Sequence, residues 1–182
     1  MKELSLHILD IVENSLAAKA TTISISIKES YTSNSYEISI ADNGTGMDAE
    51  TLNKVQDPFF TTRTTRKVGM GISLFKQAAE QCGGSLNIQS QLHKGTEITV
   101  KMPLNHVDRQ PLGDIAGVLV QLYSAHREVA FKYTHTTLAG RYEFDTLEIK
   151  NILGDLKIIS SEIRHFLKQM IQENLEEIKA SK

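Results

Sequence analysis

The chain has 182 residues, 20 basic against 22 acidic, a formal charge of -2 and 40% hydrophobic residues, which suits one core-bearing domain plus a small appendage. The near balance of charge, without basic clusters interleaved with aromatics, excludes a nucleic-acid groove, and the single cysteine, Cys82, excludes an internal disulfide and a thiolate zinc site. The longest apolar stretch of the second half, residues 115 to 123, is well short of the roughly twenty residues of a membrane-spanning helix, and the charged N-terminus does not read as a secretory leader, so a cytoplasmic protein is expected.

Leu4, Ile8, Ile11, Ser15 and Leu16 recur at three- and four-residue steps and predict an amphipathic helix over 3–19. Ile23, Ile25 and Ile27 alternate with polar residues, as do Tyr36, Ile38 and Ile40, predicting two half-buried strands paired as a hairpin across the polar loop KESYTSNS. After the glycine-bearing run ADNGTGM come a short helix at 48–55 and a long polar loop, DPFFTTRTTRKVGMG. ISLFKQAAEQC is helical and is stopped by Gly83 and Gly84. Leu86 and Ile88, then Ile98, Val100 and Met102, predict a second hairpin turning at Lys94 and Gly95. Pro103 and NHVDRQP mark a boundary. Beyond it we expect a helix near 112–124 built on Leu112, Ile115, Leu119 and Leu122, a hairpin around Gly140, and a final helix striped by Ile163, Phe166, Leu167, Met170 and Leu175 that packs on that hairpin.

Four constellations carry chemistry. Asp10 and Asn14, four apart, share one helical face, with His7 a turn earlier. The neutral amide oxygen of Asn14 suits a magnesium ion otherwise bound by phosphate oxygens and water, and Asp10 suits a general base; the same residues also suit the polar face of a surface helix. His7 reads as a helix-capping or solvated histidine. In Asp42-Asn43-Gly44-Thr45-Gly46-Met47, a carboxylate at a strand end can accept the exocyclic amine of adenine while glycines let backbone pass close to the ring, although Asp-Asn-Gly is also an ordinary turn. Thr61, Thr62 and Arg63, with Arg66, Lys67, Gly69, Met70 and Gly71, form a basic, threonine-rich loop running into a helix N-terminus, where unpaired amides and the helix dipole favour phosphate. In Lys94-Gly95-Thr96 the threonine hydroxyl would back the adenine carboxylate through water, unless the segment is only a turn. Cys82, beside a helix end, reads as structural.

In this order the motifs resemble the superfamily that joins DNA gyrase, heat-shock protein 90, sensor histidine kinases and the mismatch-repair protein MutL (GHKL), over residues 4 to 103. DIVENSLAAKAT looks like the MutL version of the first box, and DPFFTTR with VGMGISL like the lid of sensor histidine kinases. The resemblance implies a two-layer α/β sandwich of the Bergerat type, a mixed sheet covered on one face by helices, with ATP and Mg2+ between helix and lid. That domain would span 1–103, and 104–182 would be a small α+β C-terminal region. The resemblance makes Asn14 the magnesium ligand, Asp10 the base position, Asp42 the adenine partner, and Gly44, Gly46, Gly69 and Gly71 the backbone contacts.

The base position in hydrolysing members is typically glutamate, so Asp10, one methylene shorter, is expected to activate water poorly. Sensor kinases place a dimerisation segment with the phosphorylated histidine before this domain, whereas few residues precede the first helix here, so autophosphorylation in that layout is not expected. HILDIVENS and the run from DPFFTTR to QCGGS also look like stand-alone ATP-binding proteins of anaerobic bacteria associated with iron-only hydrogenases, which implies a regulatory role and a hydrogenase-related partner. The leading expectation is a signal-transducing, histidine-kinase-like module, an ATP-dependent protein kinase or weak ATPase, that phosphorylates or regulates a partner protein. The alternatives are a clamp like MutL or heat-shock protein 90, dimerising as its lid closes, and an ATP sensor without turnover.

Overall fold

The computed structural model describes residues 2–55, 71–153 and 160–181. In chain order they form α1 (Leu4–Ala17), β1 (Thr22–Ser30), β2 (Ser35–Asp42), α2 (Ala49–Lys54), α3 (Gly71–Gln81), β3 (Ser85–Gln91), β4 (Gly95–Pro103), α4 (Ile115–Ala125), β5 (Ala130–Thr136), β6 (Arg141–Asp145), α5 (Thr146–Leu153) and α6 (Ser161–Glu177). The six strands make one sheet in the order β3-β4-β2-β1-β5-β6. Every neighbouring pair is antiparallel except β1 and β5, which run parallel from Thr22 opposite Ala130 to Lys28 opposite Thr136, so the sheet is mixed.

The side-chain period of two sorts each strand between layers. Ile23, Ile25 and Ile27 of β1, Ile38 and Ile40 of β2, Val100 of β4 and Tyr133 of β5 are buried beneath the helices. Each such apolar side chain contributes about 1.5–3 kcal/mol through burial. The opposite face carries charged and hydroxyl pairs, including Ser39 with Glu97, Glu37 with Lys101 and Lys132 with Glu143, as expected of a sheet with one face in water. This is the two-layer architecture expected from the sequence, a mixed sheet with helices on one face.

Both predicted hairpins near the N-terminus form, and α3 ends as expected: Gly83 takes φ +77° and Gly84 N–H bonds the Ala79 carbonyl at 2.8 Å. The orphan amides of α1 find partners far along the chain, Leu4 N–H on Pro111 O and Ser5 N–H on Leu112 O, both at 2.9 Å.

The structure changes several expectations. The fourth helix starts at Ile115, because Gly113 adopts φ +75° and Asp114 accepts the Gly117 N–H at 3.0 Å as its cap; Leu112 is buried ahead of it. Glu29, read as part of a polar loop, lies in β1 and is buried. The C-terminal hairpin joins the main sheet through β5, and α5 was not expected. The final helix lies against α4 as well as touching β6, burying Leu167, Ile171 and Leu175, while Phe166 is exposed. Among the described residues, no helix is long and apolar enough to cross a membrane.

Candidate functional site

Asp42 ends β2 between Ile23 of β1 and Thr96 of β4. Ser15 Oγ of α1 donates to its Oδ2 at 2.6 Å, and the Gly44 N–H donates to Oδ1 at 2.8 Å. Among the described residues each oxygen receives one donor and can take another, so the carboxylate is oriented but not saturated. The sequence pattern places Ser15 only in the apolar stripe of α1. A hydroxyl in such a stripe, here 3% exposed, was the signal that it has a buried polar partner.

The loop after Asp42 is fastened to three neighbours. Asn43 Oδ1 accepts the N–H groups of Thr21 and Thr22, each at 2.9 Å, and its amide donates to Thr21 Oγ1, so this side chain ties the loop to the start of β1. Thr45 N–H bonds Ala18 O at 2.9 Å, His93 N–H bonds Thr45 O at 2.6 Å, and Met47 N–H bonds Ser90 Oγ at 2.9 Å. Gly46 has φ +63°, and a Cβ there would stand 2.0 Å from Gln91 O; at Gly44 it would stand 2.7 Å from Ala18 O. Both glycines thus have a reason in packing against the protein's own backbone, independent of any bound ring. The Thr96 hydroxyl lies 2.9 Å from Ser90 Oγ, which makes Ser90 its direct partner.

Asp10, half-buried on α1, faces the N-terminus of α3. A Cβ on Gly71 would lie 3.1 Å from Asp10 Cβ and 3.4 Å from its Oδ2. Glycine therefore lets α3 begin directly against Asp10, with exposed Asn14 one turn further along α1. No acidic residue lies in the first turn of α3, whose amide end remains favourable to anions. His7 corrects its reading as a cap or solvated group: it is 2% exposed, stacks on Phe75 at 4.9 Å and bonds Gln110 Oε1 through Nε2 at 3.0 Å. Burial lowers its pKa, outweighing the opposing Gln110 bond. Thr61, Thr62, Arg63, Arg66, Lys67, Gly69 and Met70 lie outside the described residues.

Three motif segments thus meet at one edge of the helical layer: an oriented carboxylate, a helix N-terminus and an exposed amide. The carboxylate offers acceptor capacity to an amine, and the helix N-terminus offers amides to an anion. Among the described residues no group of three His, Cys, Asp or Glu could hold a metal, so a magnesium ion here would rely on Asn14, phosphate oxygens and water.

The chain belongs to the histidine kinase-, DNA gyrase B- and HSP90-like ATPase family, whose model matches residues 2–106. It is similar to the sensor histidine kinase ZraS of Escherichia coli (strain K12), 30% identical over 106 residues that cover 58% of this chain and 23% of ZraS. It is likewise similar to the sensor protein SrrB of Staphylococcus aureus (strain NCTC 8325 / PS 47), 42% identical over 69 residues that cover 35% of this chain and 12% of SrrB. The chain therefore spans less than a quarter of the length of these curated relatives. Among solved structures, the N-terminal domain of a DNA repair protein shares the fold with a TM-score of 0.57 and 18% identity, covering 80% of this chain and 52% of that one. Family membership brings ATP as the ligand of the domain, and the relatives are histidine kinases and sensors.

Proposed function

We propose that this chain is an ATP- and Mg2+-binding module of the histidine-kinase type that phosphorylates a partner protein or regulates it according to bound nucleotide. The observation that carries the reading is the convergence of Asp42, Asn14 and the α3 N-terminus at Gly71 beside Asp10. Bound ATP would supply a transferable terminal phosphoryl group, its charge offset by Mg2+. Asp42 accepts the exocyclic amine of adenine, backed through Thr96, while the glycines and Met47 shape the wall beside it. Asn14 would offer a magnesium ion its amide oxygen, and the amides at Gly71 would receive the phosphates. Thr61, Thr62, Arg63, Lys67, Gly69 and Met70 are the candidates for the rest of the phosphate side.

Asp10 is the candidate base, and its short side chain, packed against Gly71, favours slow attack by water and leaves the phosphoryl group to a protein acceptor. Residues 1–103 form the nucleotide unit in this reading. Residues 104–182, although they extend its sheet, supply the partner surface, and a hydrogenase-related cytoplasmic protein is the first partner to test. Incubation with ATP labelled in the terminal phosphate, Mg2+ and proteins recovered on the immobilised chain should move label onto a partner faster than it releases phosphate. Label found only as inorganic phosphate, or nowhere, rejects the kinase reading. Asp10→Ala should abolish transfer while sparing ATP binding; transfer unchanged in this variant removes Asp10 from the role.

A further inference from the structure

The hydroxyl of Ser90 is the meeting point of the pocket wall. Ser90 pairs with Thr96 across the β3–β4 hairpin, and Thr96 in turn pairs with Asp42 on β2. Three groups surround Ser90 Oγ: the Met47 N–H at 2.9 Å, the Gly95 carbonyl at 3.0 Å and Thr96 Oγ1 at 2.9 Å. A serine hydroxyl has one proton and two acceptor lone pairs. The Met47 N–H can only donate and the Gly95 carbonyl can only accept, so Ser90 takes the first in one lone pair and gives its proton to the second. The remaining lone pair then receives the proton of Thr96. Thr96 Oγ1 is left with lone pairs alone to present beyond Ser90, next to a carboxylate that also only accepts.

We infer that Ser90 is a positioning residue that turns Thr96 into an acceptor, so that Asp42 and Thr96 together favour a 6-amino purine over a 6-oxo purine. The inference rests on the reading of Asp42 as the purine contact. A 6-amino group donates to such an edge, directly or through water. At the ring position that meets this edge a 6-oxo group brings a third acceptor, which finds no proton there. Its N1–H can still donate, so the two rings are told apart by that one contact. Without Ser90, the Thr96 hydroxyl is free to rotate and donate, and the penalty on the 6-oxo ring falls.

The loop does not depend on Ser90 alone. The His93 N–H still holds Thr45 O at 2.6 Å, and Thr45 N–H still holds Ala18 O, so Ser90→Ala should fold. Calorimetric titration of the full chain with Mg2+ and either ATP or ITP, its 6-oxo counterpart, tests the proposal. The preference for ATP over ITP should fall about tenfold in Ser90→Ala, the worth of one oriented hydrogen bond, and return to within about threefold of the parent in Ser90→Thr. Thr96→Val, which keeps Ser90 on Met47 and Gly95, should lose the preference to the same degree.

Should Ser90→Ala keep the full preference while Asp42→Ala loses it, the role of Ser90 is refuted and that of Asp42 stands. A preference kept by Asp42→Ala as well removes the reading on which both rest. A loss in Ser90→Ala that Ser90→Thr does not recover, with a lowered melting temperature, makes Ser90 merely structural and also overturns the inference.

Discussion

At one end of the sheet, Asp42 of β2 receives Ser15 Oγ and the Gly44 N–H and stays half-buried. At the other end of the same face, Glu29 of β1 receives His135 Nε2 of β5 and the Ser181 N–H of the C-terminal tail, both at 2.8 Å, with both side chains of the Glu29–His135 pair wholly buried. The Tyr133 hydroxyl completes that row, 2.8 Å from His135 Nδ1. Two carboxylates on one helix-covered face thus have opposite surroundings. Asp42 is held by groups from its own loop and the neighbouring helix and keeps a way out of the fold. Glu29 is enclosed by residues brought from far along the chain, and its second oxygen is buried with no hydrogen-bond partner among the described residues. A carboxylate that binds something must keep accepting capacity near solvent, whereas one that joins distant segments is best shut away where its bonds are not shared with water.

Substitutions at the Glu29 end should therefore change stability and spare nucleotide affinity, and those at the Asp42 end should do the reverse. The largest effect is expected from Glu29→Ala, which strands His135 Nε2 and the Ser181 N–H. Leaving each of these buried donors without its acceptor costs about 1–3 kcal/mol, read from urea unfolding, with the ATP dissociation constant unchanged. Burial alone would raise the Glu29 pKa, but the bonds from His135 and Ser181 hold it below the ordinary 4.5. Its contribution is therefore complete above that value and is lost as pH falls through the lowered one, a loss the variant should not show. A large drop in ATP affinity in Glu29→Ala would break the contrast between the two ends.

Gly46→Ala comes next, because it tests whether the loop after Asp42 tolerates any side chain. With φ +63° and Gln91 O only 2.0 Å from the added methyl, the β3–β4 turn must move, at a cost of about 1–3 kcal/mol, and ATP affinity should fall with it. Ser15→Ala is milder. It removes one of the two donors that orient Asp42, for about 0.5–1.5 kcal/mol, seen as a roughly three- to tenfold weaker ATP constant with little change in the urea midpoint. A midpoint shift as large as that of Glu29→Ala would mean that Ser15 serves the core rather than the pocket.

The two ends also differ in how far they can be read without coordinates. Asp42, Gly44 and Gly46 lie within five consecutive positions, and Asp10 with Asn14 within one helical turn, so periodicity and local spacing bring each group out. The isoleucines of β1 and β2 announce their hairpin in the same way. Ser15 and Ser90 are single hydroxyls whose partners lie elsewhere in the chain, and only the buried position of the first is visible. The Glu29 end left no local signal: Glu29 sits in a polar run that reads as a loop, and His135 and Ser181 stand 106 and 152 residues away from it. The parallel pairing of β1 with β5 that brings Tyr133 and His135 alongside is a non-local choice that no turn sets.

The smallest expected effect lies between the two ends, at His7, and it sharpens the comparison by separating two titrations. His7 stacks on Phe75 and so pins the Asp10 helix to the helix that begins at Gly71. Burial holds its pKa below the ordinary 6.5 against the pull of Gln110. The unfolded chain therefore takes up this proton at a higher pH than the folded one. The stabilisation from His7 is complete above 6.5 and declines as pH falls toward the lowered folded value, with a slope of at most about 1.4 kcal/mol per pH unit. Urea midpoints measured from pH 7.5 to 3 should fall in two stages, an upper one that His7→Phe removes and a lower one that Glu29→Ala removes. Should His7→Phe leave the upper stage in place, another buried group carries it and the link between α1 and α3 is not proton-sensitive. If instead both variants abolish the same stage, the two polar clusters do not act independently, and the division of labour between the ends of the sheet is wrong.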